Sequence, residues 1–250
     1  MPTCLVVQHV APESAFALED ALLGAGVLVD TCHVFTDDCV PPDASGLDGL
    51  VVMGGPVSAA SDQGFPTRGA ELALLRDAIA TGVPTLGVCL GAQLLAVAAG
   101  ATVHPGELGP EIGWSPVRLG QACSDDRLFA GLPESLTVLQ WHGDTFELPA
   151  GSCLLASNSA YPNQAFRIGD AAWGVQFHLE VTAAAVEGFL SAFAADTTDV
   201  PGGAEDIAAE TPAALAGLGA ARDLVFSRFA DLVKVRALSR DLVSETPPTV

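Results

Sequence analysis

Continuous apolar runs alternate with helix-forming segments along the first 100 residues. The runs occupy residues 3–9, 27–35, 50–53 and 83–88. Strands that are apolar on both faces are typical of a parallel sheet covered by helices on both sides. The segments predicted as helices are 15–26, 67–81 and 91–99, with Ser14 as the cap of the first and Gly82 as the end of the second. The pattern predicts an α/β fold with a mostly parallel central sheet.

The second half of the chain is richer in strands. They are predicted at residues 112–119, 136–141, 153–157, 164–168 and 171–177, and a helix follows at 183–194. We therefore expect a domain over residues 1–195, a linker over the Gly/Pro/Asp-rich residues 196–203 and a helical C-terminal extension over 204–250.

Apolar residues of this extension recur at helical spacing, namely Leu224, Val225, Phe229, Leu232, Val233 and Leu238. One interpretation is a helix packed on its own domain. The other is a partner helix, with possible self-association through residues 222–243.

The charge balance excludes several classes of ligand. The 250 residues include 30 acidic and 10 basic side chains, for a formal charge of −20. Direct binding to nucleic acid or to an anionic membrane surface requires clustered Lys and Arg, which the chain lacks. Residues 78–106 carry no formal charge and are long enough to cross a bilayer, but Pro84 and several glycines interrupt them. They are better explained by a buried strand, a turn and a buried helix.

The six cysteines are scattered, without the close spacing of a zinc site or of a redox pair. The N-terminus lacks the features of a signal peptide. We therefore expect reduced thiols, a cytoplasmic location and no metal.

The most informative segment is an apolar strand that enters Gly87-x-Cys89-x-Gly91 and then a helix. Flanking glycines allow a sharp turn that presents the central side chain, the geometry of a nucleophile elbow. A thiol at a helix N-terminus is favoured as thiolate, and is a competent nucleophile.

A nucleophilic thiol requires a base. His178 follows a predicted strand, and Glu180 lies two residues further, on the same face if the chain remains extended. This gives a Cys-His-carboxylate triad. His142, which also follows a strand, is the competing base. The consecutive glycines of Met53-Gly-Gly-Pro follow a parallel strand, where backbone N–H groups, together with that of Leu90, could form an oxyanion hole.

The segments GVCLGAQLLA, MGGPVS and GVQFHLEVT, in this order, resemble the class I glutamine amidotransferase domain. EIGW, QWHGDTFELP and PNQAF resemble the branch close to the amidotransferase domain of GMP synthase. The resemblance covers about residues 3–195 and implies a flavodoxin-like fold.

The resemblance also implies roles for individual residues. Cys89 corresponds to the nucleophile, His178 to the general base and acid, and Glu180 to its partner. The N–H groups of Gly55 and Leu90 correspond to the oxyanion hole. Binding of the substrate glutamine is implied for Gly54, Gln93, His142 and Gly143.

Leu179 stands where the family usually has proline, and we expect activity with a less rigid loop. The sequence also lacks the Ser-Gly-Gly signature of an ATP-pyrophosphatase, so we expect a separate ammonia-accepting synthetase subunit. No cofactor is implied. The predicted activity is hydrolysis of the glutamine side-chain amide through a cysteine thioester. The alternatives are a γ-glutamyl hydrolase or peptidase with the same triad, and a catalytically silent regulatory module.

Overall fold

The structure, a computed structural model that describes residues 1–36 and 38–244, contains eleven strands and five α-helices within those residues. The strands are β1 (Thr3–Gln8), β2 (Leu28–His33), β3 (Gly49–Val52), β4 (Thr85–Val88), β5 (Val103–Pro105), β6 (Glu111–Leu119), β7 (Ser135–His142), β8 (Asp144–Phe146), β9 (Cys153–Ser157), β10 (Ala165–Ile168) and β11 (Ala172–Val175). The helices are α1 (Phe16–Gly24), α2 (Arg68–Thr81), α3 (Leu90–Ala98), α4 (Ala183–Ala192) and α5 (Gly203–Ser244).

Nine strands form the central sheet, in the order β2-β1-β3-β4-β11-β10-β9-β6-β7. The first five are mutually parallel, and the pairs from β11 to β7 are antiparallel. The predicted α/β fold with a mostly parallel central sheet is therefore confirmed. The carboxyl ends of β1, β3, β4 and β11 meet at one edge, which is where ligands of such sheets bind.

The two faces of the sheet are covered by different helices. Successive side chains of a strand point to opposite faces, so Cys4 and Val6 of β1 pack in one core cluster with α1 and α5, while Leu5 and Val7 pack in a second cluster with α2 and α3. Because both faces of the sheet are covered, the side chains on both faces of its strands must be apolar, and this explains the continuous apolar runs in the sequence.

Helix α5 buries one face against its own chain. Val225, Phe229 and Val233, spaced four residues apart, are each no more than 1% exposed and belong to the same cluster as α1. Leu224 and Leu238, which share the predicted apolar pattern, are exposed. Self-association through residues 222–243 stays a prediction, and residues 245–250 of the predicted extension lie outside the described residues.

One local expectation was wrong, and the structure adds detail to two others. Ser14 does not cap α1, because Ala15 occupies the N-cap and no side-chain hydrogen bond is made there. The short sheet of β5 and β8 was not predicted, since three-residue strands leave little periodicity. The predicted linker begins inside a 3₁₀ turn, Ala194–Thr197.

The uncharged residues 78–106 contain the end of α2, then β4, α3 and β5. Among the helices that the structure describes, none is long and apolar enough to cross a membrane.

Candidate active site

Cys89 occupies a strained turn between β4 and α3. Its φ of 51° and ψ of −107° are rare for a residue with a side chain, and it is the N-cap of α3. Gly91 is required because a Cβ there would overlap the carbonyl oxygen of Val52 on β3. A Cβ on Gly87 would overlap the carbonyl oxygen of Gly91. The close approach of α3 to the sheet therefore depends on both glycines, as expected for an elbow.

His178 and Glu180 lie beyond the end of β11 and are fully buried. The His178 N–H donates to the Leu139 carbonyl of β7 at 2.9 Å, which keeps this segment locally extended after β11 has ended. His178 Nδ1 is 2.7 Å from Glu180 Oε1. His178 Nε2 is buried and makes no hydrogen bond to an oxygen or nitrogen atom of a described residue, and Cys89 is the other side chain, besides Glu180, that interacts with the ring. The second ring nitrogen is thus available for proton transfer.

The electrostatics of Cys89 and His178 are coupled. Burial raises the pKa of the Cys89 thiol, and the neighbouring His178 acts in the opposite direction. Burial disfavours the His178 imidazolium, but the Glu180 carboxylate and Cys89 together raise the pKa of His178 well above its ordinary value. A high imidazole pKa makes His178 a suitable acceptor for the thiol proton.

Two backbone N–H groups lie unpaired beside Cys89. Leu90 is the first residue of α3, and so its N–H has no partner within the helix. The Gly55 N–H donates no hydrogen bond to a described residue. A Cβ on Gly55 would come within 3.0 Å of the Leu90 side chain, which shows how closely the two segments approach.

A pocket of about 420 Å³ opens at this edge of the sheet. Most of the residues predicted for the site line it: Gly55, Cys89, Gln93, His142 and Gly143. His178, Glu180, Leu90 and Gly54 are not among its lining residues.

Two polar side chains of the pocket are held in place by hydrogen bonds. The Gln93 amide donates to the Asp144 carbonyl at 3.1 Å and to Gln176 Oε1 at 3.2 Å. His142 Nδ1 is 3.0 Å from the Asp144 carbonyl, and its Nε2 is 3.2 Å from Glu111 Oε2. Each ring nitrogen of His142 thus lies near an oxygen atom, but only Nδ1 makes a hydrogen bond, and Nε2, like that of His178, has no hydrogen-bond partner among the described residues.

Sequence reasoning missed Glu13, which also lines the pocket. Glu13 is 6% exposed. Burial raises its pKa to about 7, with smaller opposing effects of His178 and Glu180. Its position shortly after β1 was the available signal, but only the order of the strands in the sheet places β1 beside β3 and brings this loop to the site.

The lining also includes Asp144 and Asp196 but no Lys or Arg. Within the described residues, no group of three or more His, Cys, Asp or Glu side chains could hold a metal ion. All six cysteines are free thiols.

Residues 16–193 match the family described as "Glutamine amidotransferase class-I". The glutamine amidotransferase-like protein YfeJ of Salmonella typhimurium is 33% identical over 200 residues, which cover 78% of this chain and 83% of YfeJ. The glutamine-hydrolysing GMP synthase of Porphyromonas gingivalis is 40% identical over 152 residues, 60% of this chain but only 28% of that enzyme.

Solved structures are similar over almost the whole chain. A glutamine amidotransferase from Thermotoga maritima superposes with a TM-score of 0.83 at 27% identity, over 93% of this chain and 98% of that one. A glutamine amidotransferase from Methylobacillus flagellatus superposes with a TM-score of 0.84 at 29% identity, over 93% of this chain and 95% of that one.

Proposed function

Because the chain belongs to the class I glutamine amidotransferase family, we propose that it hydrolyses the side-chain amide of glutamine through a thioester on Cys89. Family membership supports glutamine amide hydrolysis as its general chemistry. The observation that carries the finer proposal is the geometry of the elbow: a strained cysteine lines the pocket, and it interacts with His178, which is held 2.7 Å from Glu180.

In the proposed first half-reaction, His178 accepts the Cys89 proton and the sulfur attacks the carboxamide carbon. The N–H groups of Gly55 and Leu90 donate to the oxyanion that forms. When this intermediate collapses, the imidazolium gives its proton to the leaving nitrogen, and ammonia departs from the γ-glutamyl thioester. Glu180 stabilises the imidazolium throughout.

In the second half-reaction, water attacks the thioester with His178 as base, which releases glutamate and restores the thiol. Gln93, His142 and Gly143 are proposed to hold the substrate, with Gly54 supporting the oxyanion loop. A lining with carboxylates and no Lys or Arg suits the α-ammonium group of a γ-glutamyl substrate.

The ammonia acceptor belongs to the same proposal. The similarity to part of a GMP synthase supports transfer of ammonia to an acceptor-activating synthetase subunit. The test is affinity capture from the native organism, followed by a glutaminase assay with the co-purified protein. Glutaminase activity that rises with this protein supports such a partner.

A direct assay tests the hydrolysis itself. We expect the purified protein, alone or with its captured partner, to release ammonia from glutamine and Cys89→Ala to release none. Cys39→Ala is the matched control, since Cys39 is exposed and is not among the residues that line the pocket. Amine release only from γ-glutamyl conjugates would instead indicate the γ-glutamyl hydrolase. No turnover and no labelling of Cys89 by an electrophilic glutamine analogue would exclude both enzymes.

A further inference from the structure

A second buried His-Glu pair lies behind the Gly54–Gly55 loop. His9 Nε2 is 2.8 Å from Glu71 Oε2, and both side chains are at most 3% exposed. Glu71 is in the first turn of α2, and its other oxygen accepts a hydrogen bond from the Thr67 hydroxyl at 2.7 Å. This pair takes no part in the hydrolysis described above.

The other nitrogen of the His9 ring contacts the loop. Nδ1 is 2.9 Å from the carbonyl oxygen of Gly54. A carbonyl oxygen only accepts hydrogen bonds, so Nδ1 is the donor and carries a proton. Phe65 packs edge-on against the ring at 5.7 Å and restricts its rotation.

The bonded carbonyl belongs to the peptide unit that carries the Gly55 N–H. In a trans peptide the C=O and the N–H of one unit point in opposite directions, and the described residues contain no cis peptide bond. A carbonyl held by His9 therefore directs the Gly55 N–H away from His9. Gly55 itself lines the pocket.

The sequence of the loop does not fix this orientation by itself. A peptide unit between two glycines rotates with little steric restriction, because neither residue has a Cβ. A Cβ at either position would force a neighbour to move, since it would overlap the end of the Glu13 side chain at Gly54 and approach His9 Cβ to 2.8 Å at Gly55. An external hydrogen bond is therefore needed to hold the peptide in one orientation.

We propose that His9, held by Glu71, is a positioning residue that orients the Gly54–Gly55 peptide so that the Gly55 N–H faces the oxyanion. This inference rests on the proposed hydrolysis, because it assigns the Gly55 N–H to that reaction. His9 touches neither the substrate nor the thiol in this proposal and acts only through the peptide.

Two amide variants separate the two hydrogen bonds of the ring. In His9→Asn the side-chain NH₂ takes the place of Nδ1 and keeps the donor to Gly54, whereas Glu71 loses its partner. In His9→Gln the NH₂ takes the place of Nε2 and keeps the partner of Glu71, whereas Gly54 loses its donor. Each variant removes one buried hydrogen bond, so both are destabilised for comparable reasons.

We expect His9→Gln to lower kcat for amide hydrolysis by on the order of 10²-fold, close to the loss of one oxyanion donor, with little change in KM. His9→Asn should stay within about threefold of the wild type, and so should His33→Gln, a control at an exposed histidine. Alkylation of Cys89 by iodoacetamide, followed by mass spectrometry, forms no oxyanion and should proceed at similar rates in all four proteins.

Crystal structures of the two His9 variants provide a readout that does not depend on turnover. The Gly54 carbonyl should point to residue 9 in His9→Asn and turn away in His9→Gln. Equal kcat in both variants, or the same peptide orientation in both, would overturn the positioning role. If the wild-type protein hydrolyses no glutamine, that result counts against the proposed function. The orientation of the Gly54–Gly55 peptide in the two variants would still show whether His9 positions it.

Discussion

Glu13 is a buried carboxyl beside the His178–Glu180 pair, and no side-chain hydrogen bond joins it to a described residue. Burial raises its pKa to about 7, so near neutral pH it exchanges a proton inside the pocket. The neighbours of opposite charge, which lower its pKa, are His178 and His9. The neighbours of like charge, which raise it, are Glu180 and Asp196. The charge on Glu13 therefore changes near neutral pH.

This pKa makes folding stability depend on pH. The ordinary pKa of a glutamate is 4.5, whereas the pKa of folded Glu13 is about 7. Between these two pH values the folded protein keeps the Glu13 proton and the unfolded chain loses it. The contribution of Glu13 to folding stability therefore falls as the pH rises. Glu13→Gln removes the effect. We expect urea unfolding to show the variant gaining up to about 3 kcal/mol relative to wild type from pH 4.5 to pH 8.

The control for that experiment is Glu187→Gln, at an exposed position on α4. Its stability difference from the wild type should be the same at both pH values. A Glu13→Gln difference that also stays constant would show that folding does not raise the pKa of this carboxyl above its ordinary value.

The two candidate bases differ in what their ring nitrogens contact. His178 is paired with Glu180 through Nδ1 and interacts with Cys89, whereas the His142 nitrogens lie 3.0 Å from the Asp144 carbonyl and 3.2 Å from Glu111 Oε2. We expect His178→Asn to slow thioester formation by about 10²–10⁴-fold in a single-turnover assay. His142→Asn should mainly raise KM. Equal losses in the rate of thioester formation would contradict this division of roles.

Leu179 replaces the usual proline between His178 and Glu180, and its side chain is buried in the core cluster that contains Phe177. The loop is therefore held by packing where a proline would hold it by a restricted φ. The sequence analysis expects a less rigid loop because it considers only the missing proline and not the burial of Leu179.

At the scale of elements, the elbow was predictable because all its requirements are local. Gly87, Cys89 and Gly91 lie within a segment of five residues, and the apolar strand before them fixes where the turn occurs. His9 and Glu13 were not predictable as site residues, because their approach depends on β1 lying next to β3. The order of strands is set by long-range packing, which the periodicity of one segment does not encode.

The glycines of the elbow give a prediction about packing between α3 and β3. Gly91→Ala places a Cβ on the backbone of Val52, which cannot rotate away, so we expect a loss of at least about 1–3 kcal/mol in unfolding free energy and a displaced thiol. Gly217→Ala in α5, where nothing lies within 4 Å, should stabilise by about 0.5–1 kcal/mol. Thermal and urea unfolding measure both. An unchanged unfolding free energy in Gly91→Ala would show that α3 can move away from β3 without loss of stability.

At the scale of the whole molecule, α5 is joined to the rest of the chain by arginine side chains as well as by apolar packing. The chain has only ten basic residues, and three of them, Arg222, Arg228 and Arg240, make this connection. Arg228 donates to the carbonyls of Leu128 and Ala130, and Arg240 lies 2.9 Å from the buried Asp48 carboxylate. The buried face of α5 is therefore part of the same core as the parallel strands.

We accordingly predict that α5 and the α/β unit unfold together. Phe229→Ala removes a fully buried ring from the shared core and should lower the unfolding free energy by about 3–5 kcal/mol. Leu238→Ala, at a side chain 66% exposed, should change it by less than about 0.5 kcal/mol. Far-UV circular dichroism follows the helices. Tryptophan fluorescence is measured on a Trp114→Phe background, because the Trp114 indole donates to the Thr211 hydroxyl of α5, so that the signal follows Trp141 and Trp173 in the sheet. The two signals should shift together in Phe229→Ala. If the helical signal melts first while the fluorescence transition stays in place, residues 204–244 are instead a separable extension.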